Sequence, residues 1–180
     1  MSFGLPPELQ AALLDKRQVF LRGRLDDTLA STVISQLLLL GRTAADGSID
    51  LYVDSPGGTV GAALAVYDFI RTMRATVSTT CLGQVSGAAV LVLAGGAAGR
   101  RFAMPHARIQ LAEPEADQLA DVQRMAAEAT RQRERWLESL AQHTAHSSEH
   151  VASDLSNSRW LSAGEARDYG LVDGIVPWRA

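Results

Sequence analysis

Residues 49–59, IDLYVDSPGGT, join an apolar run of strand character to a Pro-Gly-Gly turn, and a helical pattern begins at about Thr59. The two adjacent glycines lack a Cβ, so the backbone there can approach its neighbours closely and aim its amides at one point. Two such amides can hold an anion or an oxyanion. A second strand-like run, 76–82, leads into small residues at 87–94, which predict a closely packed helix. The stretch therefore predicts two strand–helix units around a pocket of backbone donors.

Five short motifs occur in order along the chain and identify a resemblance to a known family. They are Ser55-Pro56-Gly57-Gly58, Tyr67-Asp68, Val77-Ser78-Thr79, Gly99-Arg100-Arg101-Phe102 and Tyr169-Gly170-Leu171-Val172-Asp173. From about Arg17 to Val176, the chain resembles the proteolytic subunit of the Clp protease, the ClpP family. The resemblance implies an α/β fold, the ββα superhelix that ClpP shares with crotonases, with a protruding handle helix. It also implies a self-compartmentalising serine peptidase built as two stacked seven-membered rings.

The residues that carry the chemistry of that family are replaced in this chain. By resemblance, the position of the nucleophilic serine is Gly87, that of the catalytic histidine is Ala112 and that of the aspartate is Ser158. The arginine that links the rings to the active site in the family is replaced by Asn157. A triad needs a nucleophile, a base and a group that orients the base. The resemblance therefore predicts a degenerate subunit, a pseudo-peptidase, in which no catalytic residue is intact.

Backbone donors do not depend on side chains, so part of the site is expected to persist. Gly58 and Ala88 match the two donors of the family's oxyanion hole. Ser86 lies beside the lost nucleophile, but one step along a helix rotates a side chain by about 100°, away from the site. Two alternatives stay open. The first is an active ClpP-family peptidase with a rearranged site, and the second is a crotonase-like enzyme that acts on acyl-CoA.

The hydrophobic pocket that receives the unfoldase in ClpP is altered as well. By resemblance, four of its positions keep their apolar or aromatic character: Tyr52, Leu82, Phe102 and Met104. Three others change, because Asp50 and Thr72 replace aromatic residues and Thr80 replaces an aliphatic one. An apolar loop entering this pocket would have to desolvate the Asp50 carboxylate without offering it a hydrogen bond. Direct docking of a Clp ATPase is therefore doubtful.

The longest helical pattern runs from Ala116 to His143, with apolar residues at three- and four-residue steps. By resemblance it is the handle helix that interdigitates between rings, in a handle region of about 113–143, where Trp136 is either core or a ring-to-ring contact. The preceding segment, 115–118, lacks the glycine-rich strand that binds substrate in the family. We predict an N-terminal tail and short helix, 1–16, followed by a single ClpP-like domain, 17–180.

Composition narrows the partners of the chain. The net charge of -3 gives no support to nucleic-acid binding, and no apolar run reaches the roughly 18 residues of a membrane span. The single cysteine, Cys81, fits a reducing cytoplasm. His146 and His150 could form half a metal site, but no third ligand is visible, so neither a metal nor a cofactor is expected. The expected partners are other copies of this chain, in a heptamer or tetradecamer, and an active ClpP paralogue.

Overall fold

Parallel strands form the centre of the structure, a computed structural model that describes residues 6–43, 47–115 and 122–178. The strands within these residues are β1 (Gln18–Arg22), β2 (Ser48–Ser55), β3 (Thr76–Ser86), β4 (Arg101–Ala103), β5 (Arg108–Leu111), β6 (Arg159–Ser162) and β7 (Gly174–Ile175). The helices are α1 (Pro7–Asp15), α2 (Asp27–Thr43), α3 (Val60–Thr72), α4 (Ala89–Ala94), α5 (Val122–Ala141), α6 (Ser148–Ser156) and α7 (Ala163–Tyr169). The predicted α/β fold class is confirmed.

Strand β3 is central because it pairs with three other strands. The parallel order is β1-β2-β3-β4-β7. The first part of β3 pairs with β2 and, at residues 79–81, with β4, whereas residues 84–86 pair with β5. The register between β2 and β3 shifts between Val53 and Ser55, near the point where the other edge of β3 changes its partner from β4 to β5. Strand β6 then pairs with β5 in the antiparallel direction and forms the end of the branch.

The core lies on one face of β2 and around α4. In β2, Ile49, Leu51 and Val53 are fully buried, and the residues that alternate with them are partly exposed on the other face. Every residue of α4 is fully buried, as expected for a helix that is apolar on all sides. No helix within the described residues is both long and apolar enough to cross a membrane.

The sequence predicts a cap at Asp26 or Asp27, a capping box at Ser162 and Glu165 and a left-handed C-cap at Gly170, and these three helix ends are capped in the structure. The Asp26 carboxylate accepts a hydrogen bond from the Leu29 N–H at 2.9 Å, at the start of α2. Ser162 and Glu165 form the predicted capping box of α7. Gly170 ends that helix in the left-handed conformation, with a φ of 93°.

Several element boundaries differ from the prediction. The predicted second strand ended at Leu82, but β3 continues to Ser86 because its last residues pair with β5. The small-residue helix was expected from Gly87, but α4 begins at Ala89 because Gly87 turns the chain with a φ of +51°. The predicted start of the handle helix at Ala116 lies outside the described residues, and α5 is described from Val122.

Two of the motifs that carried the resemblance meet in an ion pair. The Arg101 guanidinium donates to both carboxylate oxygens of Asp173, at 3.0 and 2.5 Å, and the Arg101 N–H donates to the same carboxylate at 2.9 Å. Partial burial works against ionisation of Asp173, but the hydrogen bonds from Arg101 outweigh it and hold the pKa of this carboxyl below its ordinary value. The pair fastens the C-terminal turn to β4.

Helix α5, predicted to be the handle helix, and the turn that follows it contact the core through Trp136 and His143. Trp136 is fully buried and its indole N–H donates to the Ala88 carbonyl at 3.2 Å, so within this chain it is a core residue. Just beyond the helix, His143 shares a hydrogen bond of 2.9 Å with the Tyr67 hydroxyl. Burial, and then the nearby charges of Arg101 and Arg71, lower the pKa of His143 to about 4.

The neutral state of His143 predicts a pH dependence of stability. In the unfolded chain a histidine takes up a proton near pH 6.5, whereas the folded protein resists protonation of His143 down to about pH 4. The stabilisation is therefore complete above about pH 6.5 and is lost as the pH falls from there towards about 4. Denaturant unfolding should show a shallower pH slope over this window for His143→Gln than for the wild type. The matched control is exposed His106→Gln, and equal slopes for all three proteins would contradict the prediction.

The packing of Gly58 predicts a strong effect of a single methyl group. A Cβ at Gly58 would lie 1.9 Å from the Leu25 carbonyl oxygen, a backbone atom that cannot rotate away. We expect Gly58→Ala to lower the free energy of unfolding by about 1–3 kcal/mol or more. The control is Gly164→Ala, where the nearest atom would be 4.0 Å away and helix propensity should leave stability unchanged or slightly raised. Equal thermal midpoints for the two variants would contradict this packing.

Candidate functional site

The candidate site is built on the turn between β3 and α4. Ser86 ends the strand, Gly87 turns the chain, and α4 begins two residues later. A sharp strand-to-helix turn is the setting that presents a nucleophile in α/β-hydrolases. A Cβ at Gly87 would meet only ordinary contacts, at 3.7 Å from the Glu113 carbonyl oxygen, 3.8 Å from the Gly57 Cα and 3.9 Å from the Ala112 carbonyl oxygen. The turn has room for a side chain, but the sequence supplies none.

The positions predicted for the histidine and the aspartate converge on the same place. Ala112 follows β5 and its carbonyl lies near Gly87. The antiparallel ladder of β5 with β6 ends at the pair Leu111 and Arg159, and Ala112 and Ser158 are the chain neighbours of that pair at this end of the ladder. Ser158 has a φ of +49°, in the tight turn that joins α6 to β6. The structure thus brings Gly87 next to Ala112 and places Ser158 at the same end of the β5–β6 ladder as Ala112. Of the three residues, only Ser158 has a polar side chain.

The four histidines of the chain have ring neighbours in other parts of the molecule. His106 contacts Trp178, His143 contacts Tyr67, and His146 stacks on His150 with ring centroids 4.4 Å apart. Among the described residues, no group of three or more His, Cys, Asp or Glu side chains could hold a metal ion.

Ser86 and Cys81 are the nucleophile types nearest to the turn in sequence. The Ser86 hydroxyl is buried and donates to the Gln110 side-chain oxygen at 2.9 Å. A neutral amide oxygen does not remove a proton at neutral pH, so this contact orients the hydroxyl without activating it. Cys81 is fully buried, and burial, followed by the charge of Asp54, raises the pKa of its thiol to about 12. Neither residue has the environment of an activated nucleophile.

The main-chain N–H groups of Gly58 and Ala88 are the two donors that the resemblance assigns to this site. A Cβ at Gly57 would lie 3.2 Å from the Ser86 carbonyl oxygen, so the Pro-Gly-Gly turn packs directly against the end of β3. In the part of the chain that the structure describes, the N–H groups of Gly58 and Ala88 donate no hydrogen bond. The Ala88 carbonyl accepts the indole N–H of Trp136, which holds the start of α4 in place. The polar groups at this site are therefore main-chain atoms, apart from the Ser158 hydroxyl.

The segment that follows Ala112 is held by two arginines. The Glu113 carboxylate accepts from Arg133 of α5 at 2.7 Å, and the Glu115 carboxylate accepts from Arg24 at 2.9 Å. The Glu115 N–H also donates to the Gly58 carbonyl at 3.0 Å. The sequence did not reveal these contacts, because each joins residues that are far apart in the chain.

The predicted docking pocket lies largely on one face of the sheet. Strand register and alternation place six of its seven residues there: Asp50, Tyr52, Thr80, Leu82, Phe102 and Met104. The seventh, Thr72, ends α3, is exposed, and donates its hydroxyl to the Asp68 carbonyl at 2.9 Å.

Phe20 extends this face and was missed by the sequence analysis. It is the direct cross-strand neighbour of Tyr52, and the two rings stack with centroids 5.0 Å apart. The signal was present, because buried Val19 and Leu21 flank Phe20 in a strand and so place it on the opposite face.

Comparisons with known proteins agree with the fold. The family model described as Clp protease matches residues 7–179. The chain is 37% identical over 171 residues to "ATP-dependent Clp protease proteolytic subunit 1" of Thermobifida fusca, with 93% of this chain and 77% of that protein covered. It is 45% identical over 172 residues to "Putative ATP-dependent Clp protease proteolytic subunit-like" of Streptomyces coelicolor, with 93% and 82% covered. A match over nearly the whole chain shows that this protein belongs to the Clp protease family of proteolytic subunits.

Proposed function

We propose that this chain is a pseudo-peptidase of the Clp protease family, with a structural or regulatory role in a ring assembly. The observation that carries the proposal is the convergence of Gly87, Ala112 and Ser158, which together offer no nucleophile–base–acid set. Serine peptidase chemistry needs all three groups in contact. Here the main chain of the family's turn persists while its reactive side chains are missing.

An active peptidase with a rearranged site is less well supported. Ser86 would need a base, and its hydroxyl instead donates to a neutral amide. No histidine is free to take this role, since each of the four packs against another ring elsewhere. A crotonase-like enzyme acting on acyl-CoA would also use backbone donors such as those of Gly58 and Ala88. The family match over nearly the whole chain favours the peptidase lineage over this alternative.

The proposed setting is a Clp particle. Members of this family form ring oligomers and work with Clp ATPases. We propose that the chain forms a heptamer or tetradecamer, alone or with an active paralogue that supplies the peptidase sites, and that it serves cytoplasmic protein quality control. Buried Cys81, protected as a neutral thiol, fits a reducing compartment.

Peptide hydrolysis tests the loss of chemistry. We expect the wild type and Gly87→Ser to show no turnover of fluorogenic peptides, since a serine without a base stays weakly nucleophilic. The triple variant Gly87→Ser, Ala112→His, Ser158→Asp restores the full set of groups and has the best chance of measurable activity. Turnover by the wild type that Ser86→Ala abolishes would show that the nucleophile is Ser86 and would contradict the proposal.

Recruitment of the unfoldase is expected to need a partner subunit. Asp50 places a carboxylate on the same face as the half-buried rings of Tyr52 and Phe102. Burying that carboxylate under an apolar loop costs several kcal/mol, and the missing aromatic contact at Thr72 costs about 1–3 kcal/mol more. Homo-oligomers of this chain, isolated by native mass, should therefore fail to pull down the Clp ATPase of the same cell in the presence of ATP.

The matched variant for that experiment restores the apolar pocket. Asp50→Tyr combined with Thr72→Phe should recover at least part of the binding, whereas Asp68→Asn, an exposed charge change on α3, should not. Robust binding by the wild-type homo-oligomer would contradict this prediction. A wild type that stays a monomer at every concentration, with and without a paralogue, would contradict the ring proposal.

A further inference from the structure

The backbone of the Pro-Gly-Gly turn is paired along both of its edges. On one side, the Leu25 N–H donates to the Gly57 carbonyl at 2.8 Å, and the Thr59 N–H donates to the Leu25 carbonyl at 3.0 Å. On the other side, the Glu115 N–H donates to the Gly58 carbonyl at 3.0 Å, and Thr59 and Glu115 form a parallel bridge. An extended segment has only two hydrogen-bonding edges, so this one has no edge left for an added strand.

The edge of the turn that pairs with Glu115 is the edge to which the Gly58 N–H, the donor without a hydrogen bond among the described residues, points. In extended backbone, the N–H and C=O of one residue point to the same side and those of the next residue point to the other. The Gly58 carbonyl points to Glu115, so the Gly58 N–H lies on that side as well. A peptide whose carbonyl reached this N–H in an extended conformation would have to run where the Glu115 main chain now lies.

The segment that occupies this edge is tied at both of its acidic residues. The Glu115 carboxylate accepts from the Arg24 side chain, which lies in the loop between β1 and α2. The Glu113 carboxylate accepts two hydrogen bonds from Arg133 on the handle helix, at 2.7 and 2.5 Å. The two ion pairs tie the segment to two different parts of the chain, the loop after β1 and helix α5.

We infer that residues 112–115 form a strap that closes the peptide-binding edge of this subunit, so that the chain neither cleaves nor holds an extended peptide at the Gly58 turn. The inference deepens the proposed function and rests on it in treating Gly58 and Ala88 as the remnant of a site. An inactive subunit could still bind substrate peptides without cleaving them. A subunit whose peptide-binding edge is covered by residues 112–115 does neither, so other subunits of the particle would have to bind the peptides.

The first test is amide hydrogen exchange on the full-length oligomer. Electron-transfer fragmentation assigns deuterium to single residues, so the Glu115 amide can be followed directly. We expect this amide to exchange far more slowly than an unstructured amide, and to be unaffected by an excess of an acetylated peptide of alternating leucine and serine. Exchange as fast as in an unfolded chain, or a change in its rate on addition of the peptide, would overturn the inference.

The second test is fluorescence anisotropy with the same peptide carrying fluorescein. Glu115→Pro removes the N–H that bonds to Gly58, whereas the matched Glu115→Gln keeps that N–H and removes only the charge. We expect Glu115→Pro to bind the peptide with an affinity at least about tenfold higher than that of the wild type or of Glu115→Gln, neither of which should show measurable binding. The reason is that one backbone hydrogen bond is worth about that factor.

The outcomes separate the strap from the proposed function. Wild-type binding as tight as that of Glu115→Pro, or a folded Glu115→Pro that binds no peptide, would overturn the strap. If Glu115→Pro does not fold, the exchange rate of the wild-type Glu115 amide decides. Cleavage of the probe by the wild type, read by the mass of the fragments, would contradict the pseudo-peptidase proposal, while protection of the Glu115 amide would still report on the strap.

Discussion

The pairing of β3 with three neighbours is the interaction on which the rest of this structure depends. Its first part joins β2 to β4, and its last residues join β5, so both branches of the sheet are fixed by one strand. The Thr79 hydroxyl on this strand donates to the Leu93 carbonyl at 2.6 Å, which holds α4 against it. The turn at Gly87 lies between that strand and that helix, and its position is therefore determined by long-range pairing rather than by local propensity.

A site fixed in this way can lose its chemistry and keep its shape. The N–H groups of Gly58 and Ala88 are main-chain atoms, so substitutions at Gly87, Ala112 and Ser158 leave them in place. Trp136 of α5 supports Ala88 with a buried hydrogen bond from its indole N–H. The reactive side chains, in contrast, contribute to function without holding the sheet together. The loss of these side chains that we propose is therefore compatible with a fully formed fold.

Local sequence signals were sufficient to predict the capped helix ends and to recognise the motifs. They were insufficient to predict contacts between segments that are far apart in the chain. The capping box of α7 and the left-handed Gly170 follow from short-range chemistry and were predicted. The length of β3 was underestimated because Gly83 and Gln84 are poor strand signals, and their pairing with β5 is a tertiary effect. The contact of Glu115 with Gly58 is of the same kind, since it joins residues far apart in the chain. The triad positions came from the resemblance, and periodicity alone would not have found them.

The central claim is that no serine of this chain is activated as a nucleophile. Intact-protein mass spectrometry after incubation with a fluorophosphonate probe measures this directly, because the probe adds its mass only to an activated serine. The account predicts an unmodified mass for the wild-type oligomer at neutral pH. A stoichiometric adduct that maps to Ser86 or Ser158 would contradict it.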